Sequence, residues 1–488
     1  MDLNHILALI LVIMATCAGV WIASVFPKTR DLAFFLLVAG AVLTERLDVN
    51  FFGEYWYRGT TRGIEMSFLD ILAICLLASS WLAPREEDRP RWYWPAGLGV
   101  MLLYFSYCLF SVLISEPQRF GWYELTKVFR GILVFMAAAT FVRTRRELVL
   151  LVLALGCAVC LEGALGLKQR YLGGIYRVSG SVDDANSLSM YLCLVSPVFV
   201  AAAAAAFPRW LRGFSWLCAG VAAFSILLTI SRAGVPIFAF VMLGATVFCI
   251  SWRLTLKKVA VGFLVSVVVG LAVLNSWELL MIRYGQATLE EEYLDDQVEG
   301  RGVYLRWASA ILDDHFLGVG LNNWSYWVSK RYGPESGFSY EDYDDIQTSP
   351  DKADLPSFRY AAPAHNLAAL TAGELGVPGL CLFGLVWLRW FRMGAGFLRR
   401  RGDDPMHLLG TGIFFSICGI FLQSITEWVY RQTVIFFTFH VLVGTLASLY
   451  YRKRMETRRL RRVEAVENDD GLYAEQYPAM PALAGEER

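Results

Sequence analysis

The sequence predicts an all-α polytopic membrane protein of about 13 transmembrane helices, with one large external loop carrying short amphipathic helices. Three observations lead there. Of the 488 residues, 56% are hydrophobic and 18% charged, whereas an ordinary soluble domain is roughly 45–50% apolar and about 25% charged. Apolar runs long enough to cross a hydrocarbon layer recur from one end of the chain to the other. The remaining charges gather in the connections between those runs.

In chain order the expected spans are 5–26, 31–44, 67–83, 96–114, 122–142, 147–167, 186–207, 214–230, 234–251, 259–276, 365–388, 407–424 and 433–451. The first lacks a basic leader and an A-x-A cleavage site, so it reads as a retained helix rather than a signal peptide. The span 31–44 is short and needs partner helices or the interface to complete it. Alternate connections carry PKTR (27–30), PREEDRPR (84–91), RTRR (143–146), PRWLR (208–212), WRLTLKK (252–258) and RMGAGFLRRR (392–401), and YRKRMETRRLRR (451–462) follows the last span. The positive-inside rule makes this set cytoplasmic, which places the N-terminus and the segment 277–364 outside. The chain then divides into an N-terminal bundle (1–276), a large external loop (277–364), C-terminal transmembrane helices (365–451) and a tail (452–488). The tail is basic at first and, from Val463, reads as a disordered extension.

Composition and motifs exclude several chemistries. The formal net charge is zero, which argues neither for nor against nucleic acid, and no nucleic-acid partner is expected. The ten cysteines lie almost wholly in apolar runs without metal-ligand spacing. Cys157 and Cys160 form a CxxC inside an apolar helix and read as packing residues. GVGLNN (318–323) lacks the strand–turn–helix setting of a nucleotide loop. No metal site and no cofactor are expected, so a reaction here needs a substrate activated elsewhere.

The most informative segment is APAHNLAALTAGELGVPGL (362–380), where a long polar loop re-enters an apolar helix. Loops of such length are usually functional or disordered. The imidazole of His365, which titrates near neutral pH, is expected at the membrane–water boundary, with Asn366 beside it and Glu374 about two turns deeper. Three arginines are expected on the same side. Arg177 lies in GGIYRVSGSVDDANSL (173–188), Arg232 in LTISRAGVP (228–236) and Arg301 in EGRGVYLRW (299–307). A guanidinium at membrane depth costs several kcal/mol unless paired, and its planar fork suits phosphate oxygens. A lipid diphosphate would present that anion. Other readings stay open. Arg177 fits an interface anchor, Arg232 an ion pair with Glu124, Glu162 or Glu374, and Arg301 the cap of a loop helix. Lys127 and Arg130 face an internal cavity or pair with Glu124. His5, His407 and His440 read as interface or packing residues, and His315 as the end of a loop helix. Tyr304, Trp307, Trp324, Tyr326 and Trp327 suit either a roof that stacks on sugar rings or an interfacial belt.

RVSGSVDDANSLSMYLCLVSP (177–197), ISRAG (230–234), GRGVYLRWASAILDDHFLGVGLNNW (300–324) and HNLAALTAGELGVPGL (365–380) resemble, in order and spacing, the O-antigen ligase and O-antigen polymerase superfamily. The resemblance implies a metal-independent integral-membrane glycosyltransferase at the outer face of the bacterial inner membrane. Such an enzyme moves a glycan from undecaprenyl diphosphate to an acceptor. The family's diphosphate-binding arginines correspond to Arg177, Arg232 and Arg301, and its catalytic histidine to His365, with Asn186, Asn366 and Glu374 in support. One departure is Ala185, where the first motif commonly has proline before its Asn; it leaves the local helix entry and any role of Asp183 and Asp184 open. The implied partners are a lipid-linked oligosaccharide donor, a glycan or lipid A-core acceptor, membrane lipid and polysaccharide-assembly proteins. Polymerisation of exopolysaccharide or O-antigen repeat units is the expected reaction, with ligation to lipid A-core as the alternative. Transport of the lipid-linked glycan is a third reading. It would show as inverted repeats and broken helices, and neither is legible in the sequence.

Overall fold

The computed structural model describes residues 3–82, 93–182, 184–250, 281, 285, 301–341, 343, 346, 358–399 and 402–476. The expected span 259–276 lies outside them, as do Asp183 and the basic connections 84–91 and 252–258. Each other expected span coincides with a helix: α1 (Leu3–Val25), α2 (Pro27–Gly40), α3 (Phe68–Leu82), α4 (Leu98–Ile114), α5 (Gln118–Phe141), α6 (Arg145–Leu167), α7 (Ala185–Ala204), α8 (Arg209–Thr229), α9 (Gly234–Cys249), then α11 (Leu367–Ala395), α12 (Pro405–Gln423) and α13 (Thr433–Gln476). Between them, α10 (Arg301–Asp314) lies in the segment expected to form the external loop.

The count of about 13 is corrected in kind. Among the described residues, seven helices are long and apolar enough to cross a membrane, and α3, α4 and α9 are shorter apolar helices. The helix α2 falls short in length, and α5 in hydropathy, because it carries Arg119, Glu124, Lys127 and Arg130. The protein is a polytopic membrane protein. Two further differences stand out. A two-stranded antiparallel hairpin pairs β1 (Val49–Gly53) with β2 (Gly63–Met66), so the fold is not purely helical. The backbone of α13 stays helical to Gln476, past Val463 where a disordered tail was expected. Low hydropathy argues against burial, but Arg, Leu, Glu and Ala extend a helix readily once it is nucleated.

The core centres on α7 and the apolar half of α13, both almost wholly buried. Helices α8, α9 and α12 surround α7, and α5 packs along α13. By contrast α1 exposes Leu7, Leu11, Met14 and Trp21, as a helix that is apolar all round does when lipid covers it. The bundle has two chemically distinct ends. At one, Arg452 donates to the Arg143 carbonyl, Lys453 donates to the Gly396 carbonyl, and the Ala206 N–H donates to the Asp403 carbonyl at 2.8 Å. That end gathers the basic connections among the described residues, including 143–146 and the start of 451–462. The hairpin, the loop 173–184, the turn 230–233, the start of α11 and the connection 424–432 lie at the other.

A break in α11 sets the geometry of that second end. Gly376 has φ 66° and ψ −172° inside the helix, a backbone state that only glycine adopts without strain. The loop 316–320 repairs the interruption. Val319 and Gly320 donate to the Gly373 and Glu374 carbonyls at 2.9 and 2.8 Å, Tyr107 donates to the Leu375 carbonyl at 2.9 Å, and Val377 donates to the Phe316 carbonyl at 3.2 Å. Irregular backbone at membrane depth is tolerated where protein covers it. A Cβ on Gly376 would lie 2.2 Å from the Phe316 carbonyl oxygen, whereas one on Gly384 meets nothing within 4 Å. Replacing Gly376 by Ala should therefore cost about 2 kcal/mol or more. Thermal unfolding of the purified protein would show this as a lowered midpoint for Gly376→Ala beside an unchanged or raised one for Gly384→Ala. Equal midpoints would refute the steric reading.

Candidate active site

Two side chains of the preceding helical turns hold the loop that carries Arg177. Gln169 accepts from the Ser179 and Gly180 N–H groups at 3.1 and 2.8 Å and donates to the Gly180 carbonyl at 2.7 Å. Glu162, fully buried, accepts from the Ser181 N–H at 2.8 Å and from its hydroxyl. Asp184 caps α7 by accepting from the Asn186 and Ser187 N–H groups at 2.8 and 3.2 Å. The helix entry left open by Ala185 is thus an ordinary aspartate cap.

From this frame Arg177 reaches into the bundle. Its Nη2 donates to Asn186 Oδ1 at 2.8 Å and its Nε to the Thr229 carbonyl at 3.4 Å. Ser231, in the turn between α8 and α9, donates to the same Asn186 oxygen at 3.3 Å. That turn begins with Ile230 at φ 50°, an uncommon backbone state for a β-branched residue. Strain of this kind collects at sites where neighbouring structure over-determines the chain. Asn186 Nδ2 donates to Glu427 Oε1 at 3.4 Å, and Glu427 Oε2 lies 2.5 Å from His365 Nδ1. Arg232, Arg301, Asn186, Ser231, Gln423 and Glu427 line one narrow cleft of about 40 Å³.

The His365–Glu427 contact fixes the chemistry of the imidazole. An ionised carboxylate only accepts hydrogen bonds, so Nδ1 carries the proton and Nε2 is left as the acceptor. Burial of the ring opposes its protonation, and the hydrogen bond and charge of Glu427 outweigh that. The imidazole is therefore raised above its ordinary value, with Arg301 pulling it down and Asp184 pushing it up more weakly. Its side chain is 40% exposed, against 9% for Glu427. The Tyr304 ring lies 5.6 Å from the imidazole, centroid to centroid.

Two of the sequence-selected residues sit elsewhere or do other work. Asn366 is the N-cap of α11; it accepts from the Ala369 N–H at 2.9 Å and donates to the Ile425 carbonyl at 2.9 Å. Glu374 is 1% exposed and binds Arg431 Nη1 at 2.5 Å, in a separate buried cluster. There Arg431 Nε also donates to Glu124 at 3.0 Å, and Lys127 lies 3.8 Å from Glu124. Arg130 pairs instead with Asp70 at 2.9 Å and Asp48 at 3.5 Å. Glu124, Glu162 and Glu374, offered by the sequence as partners for Arg232, are thus all held by other groups. Of the loop aromatics, Tyr304, Trp307 and Trp324 are buried in a cluster shared with the start of α11, Tyr326 is buried against Trp56, Tyr57, Phe120 and Tyr123, and Trp327 is half-buried. Among the described residues no group of three or more His, Cys, Asp or Glu could hold a metal ion.

Sequence reasoning missed Glu427 and Arg431. The signal was present in SITEWVYRQ (424–432), which sets two charges four residues apart between two apolar spans.

A family profile described as O-Antigen ligase matches residues 217–384. Those residues are similar to an O-antigen ligase family domain. No curated protein matches the chain. The matched segment contains Arg232, Arg301 and His365, while Arg177, Asn186 and Glu427 lie outside it.

Because neutral Nε2 is the form that can take a proton, any reaction that uses His365 as a base should rise with pH through the raised imidazole value. Glu427→Gln removes the charge that raises it. The acid limb of the pH–rate profile should move to lower pH, and the maximal rate should fall about 10²-fold or more. An acid limb in the same place in the variant would separate Glu427 from the imidazole.

Proposed function

We propose that the protein is a membrane glycosyltransferase. It transfers a glycan from undecaprenyl diphosphate to a sugar hydroxyl at the outer face of a bacterial inner membrane, polymerising exopolysaccharide or O-antigen repeat units. The observation that carries this reading is a cleft lined by Arg232 and Arg301, whose Asn186 is bound by Arg177 and whose Glu427 is bound by the His365 imidazole. The O-antigen ligase domain supports the reaction class. Its description also favours a second reading, in which the acceptor is lipid A-core. The outward orientation is supported by the basic connections at the opposite end of the bundle.

Glycosyl transfer from a lipid diphosphate needs charge neutralisation more than acid catalysis. As the bond between the anomeric carbon and the phosphate oxygen breaks, negative charge grows on the diphosphate. Preorganised guanidinium groups stabilise that charge well where little water competes. The acceptor oxygen bonds to the anomeric carbon from the opposite face, and its proton passes to His365 Nε2. Glu427 holds the ring in the required tautomer and offsets the imidazolium charge that forms. Asn186 joins the two halves of the site, since it accepts from Arg177 and donates to Glu427.

Incubation of purified protein with a synthetic lipid-diphosphate repeat unit tests this directly. Longer glycan with released lipid diphosphate is the expected product. Transfer only to added lipid A-core would shift the assignment to ligation, and no covalent change would favour transport. His365→Ala should lower turnover about 10²–10⁴-fold with the protein still in the membrane fraction. Near-normal turnover of that variant would reject the base. Arg232→Glu should weaken donor binding, and an unchanged affinity would take Arg232 out of the diphosphate site.

A further inference from the structure

We infer that Arg431 is a positioning residue that ties the segment carrying Glu427 to the helix headed by His365, and so holds the imidazole–carboxylate pair together. The inference rests on the proposed role of that pair but concerns a different part of the molecule. Arg431 lies four residues beyond Glu427, in the turn Val429–Arg431 between α12 and α13. Its guanidinium is bound on two sides, by Glu124 of α5 at 3.0 Å and by Glu374 of α11 at 2.5 Å. Its own carbonyl accepts from Lys127 Nζ. All four charged groups are almost fully buried.

Two attachments therefore clamp the connection 424–432 against α11. The first is at the helix start, where the Leu367 N–H donates to the Ser424 carbonyl at 2.9 Å and Asn366 donates to the Ile425 carbonyl. The second is Arg431–Glu374, nine residues further along the chain from His365. Glu427 sits between them in the connection and is fixed from both sides. Glu124 is in turn pinned by the hydroxyls of Thr60 and Thr61, and Asn322 of the external loop donates to the Thr61 and Phe120 carbonyls at 2.9 Å each. The external loop and the hairpin thereby brace the same clamp. The cluster pairs two cations with two anions, so deleting Arg431 alone would strand a buried negative charge, which is strongly destabilising. A test must separate that loss from positioning.

The imidazole itself supplies a readout that needs no substrate. Its charged and titratable neighbours are Glu427, Arg301, Asp184 and, on α10, Tyr304; none belongs to the Arg431 cluster. Protein with ¹³C-labelled histidine, held in lipid nanodiscs, would be titrated by NMR, and the His365 signal would be assigned by its loss in His365→Asn. Two variants keep the buried charge balanced. Arg431→Lys keeps the charge but cannot span two carboxylates, and Arg431→Met with Glu374→Gln removes one charge of each sign. In the wild type His365 should titrate above about 6.5. In either folded variant its midpoint should fall by about 0.5 or more as Glu427 swings free. A wild-type midpoint at the ordinary value, or an unchanged midpoint in folded variants, would overturn the inference. A failed glycan-transfer assay would leave this result standing, so the two readings fail separately.

Discussion

The site depends on one nearly buried carboxylate. Glu427 is 7% exposed, so water solvates its charge poorly and protein groups must supply most of its partners. One oxygen meets His365 Nδ1 and the other meets Asn186 Nδ2. Asn186 turns its own oxygen to Arg177 and Ser231. The start of α7, the turn after α8, the start of α11 and the connection 424–432 are thereby obliged to meet. Displacing any one of them would leave a buried polar group without its partner. The convergence of residues far apart in the chain follows from that constraint.

The same rule explains how α5 lies within an apolar bundle while carrying Glu124, Lys127 and Arg130. Each faces an opposite charge: Arg431 for Glu124 and Asp70 with Asp48 for Arg130, from other elements, and Glu124 of the same helix for Lys127. Such pairs contribute little net stability, because desolvation offsets the Coulombic gain, but breaking one leaves an uncompensated charge. They specify which helices pack together. The interrupted helix α11 adds a second specifying device, since carbonyls freed at the break accept from the loop 316–320 and Tyr107. The end of the bundle that carries the site is thus tied to the spanning helices through both charges and backbone.

How much of this was legible in the sequence follows from range. Spans could be read because an apolar run of membrane length is a local signal, and each described helix overlaps its expected run. His365 stood out because a long polar loop meets an apolar helix at one residue. Glu427 did not, because its partner is 62 residues away and its short connection has no periodicity to read. Glu374 illustrates the opposite error. Helical spacing placed it on the helix of His365, but spacing along α11 says nothing of Arg431, which claims it from another element. The hairpin 49–66 was passed over because its strands are only five and four residues long. The loop aromatics could be read as a roof or a belt, but packing against α11, α5 and the hairpin region depends on distant residues that local spacing does not show.

The central claim is spatial and chemical together: three arginines from separate segments bind one diphosphate beside the His365–Glu427 pair. Cryo-electron microscopy of the protein in nanodiscs with bound undecaprenyl diphosphate tests it most directly. The account predicts phosphate density within hydrogen-bond reach of Arg177, Arg232 and Arg301, in the cleft lined by Glu427. Diphosphate density at the basic end of the bundle, with the three arginines bound only to protein groups, would contradict it.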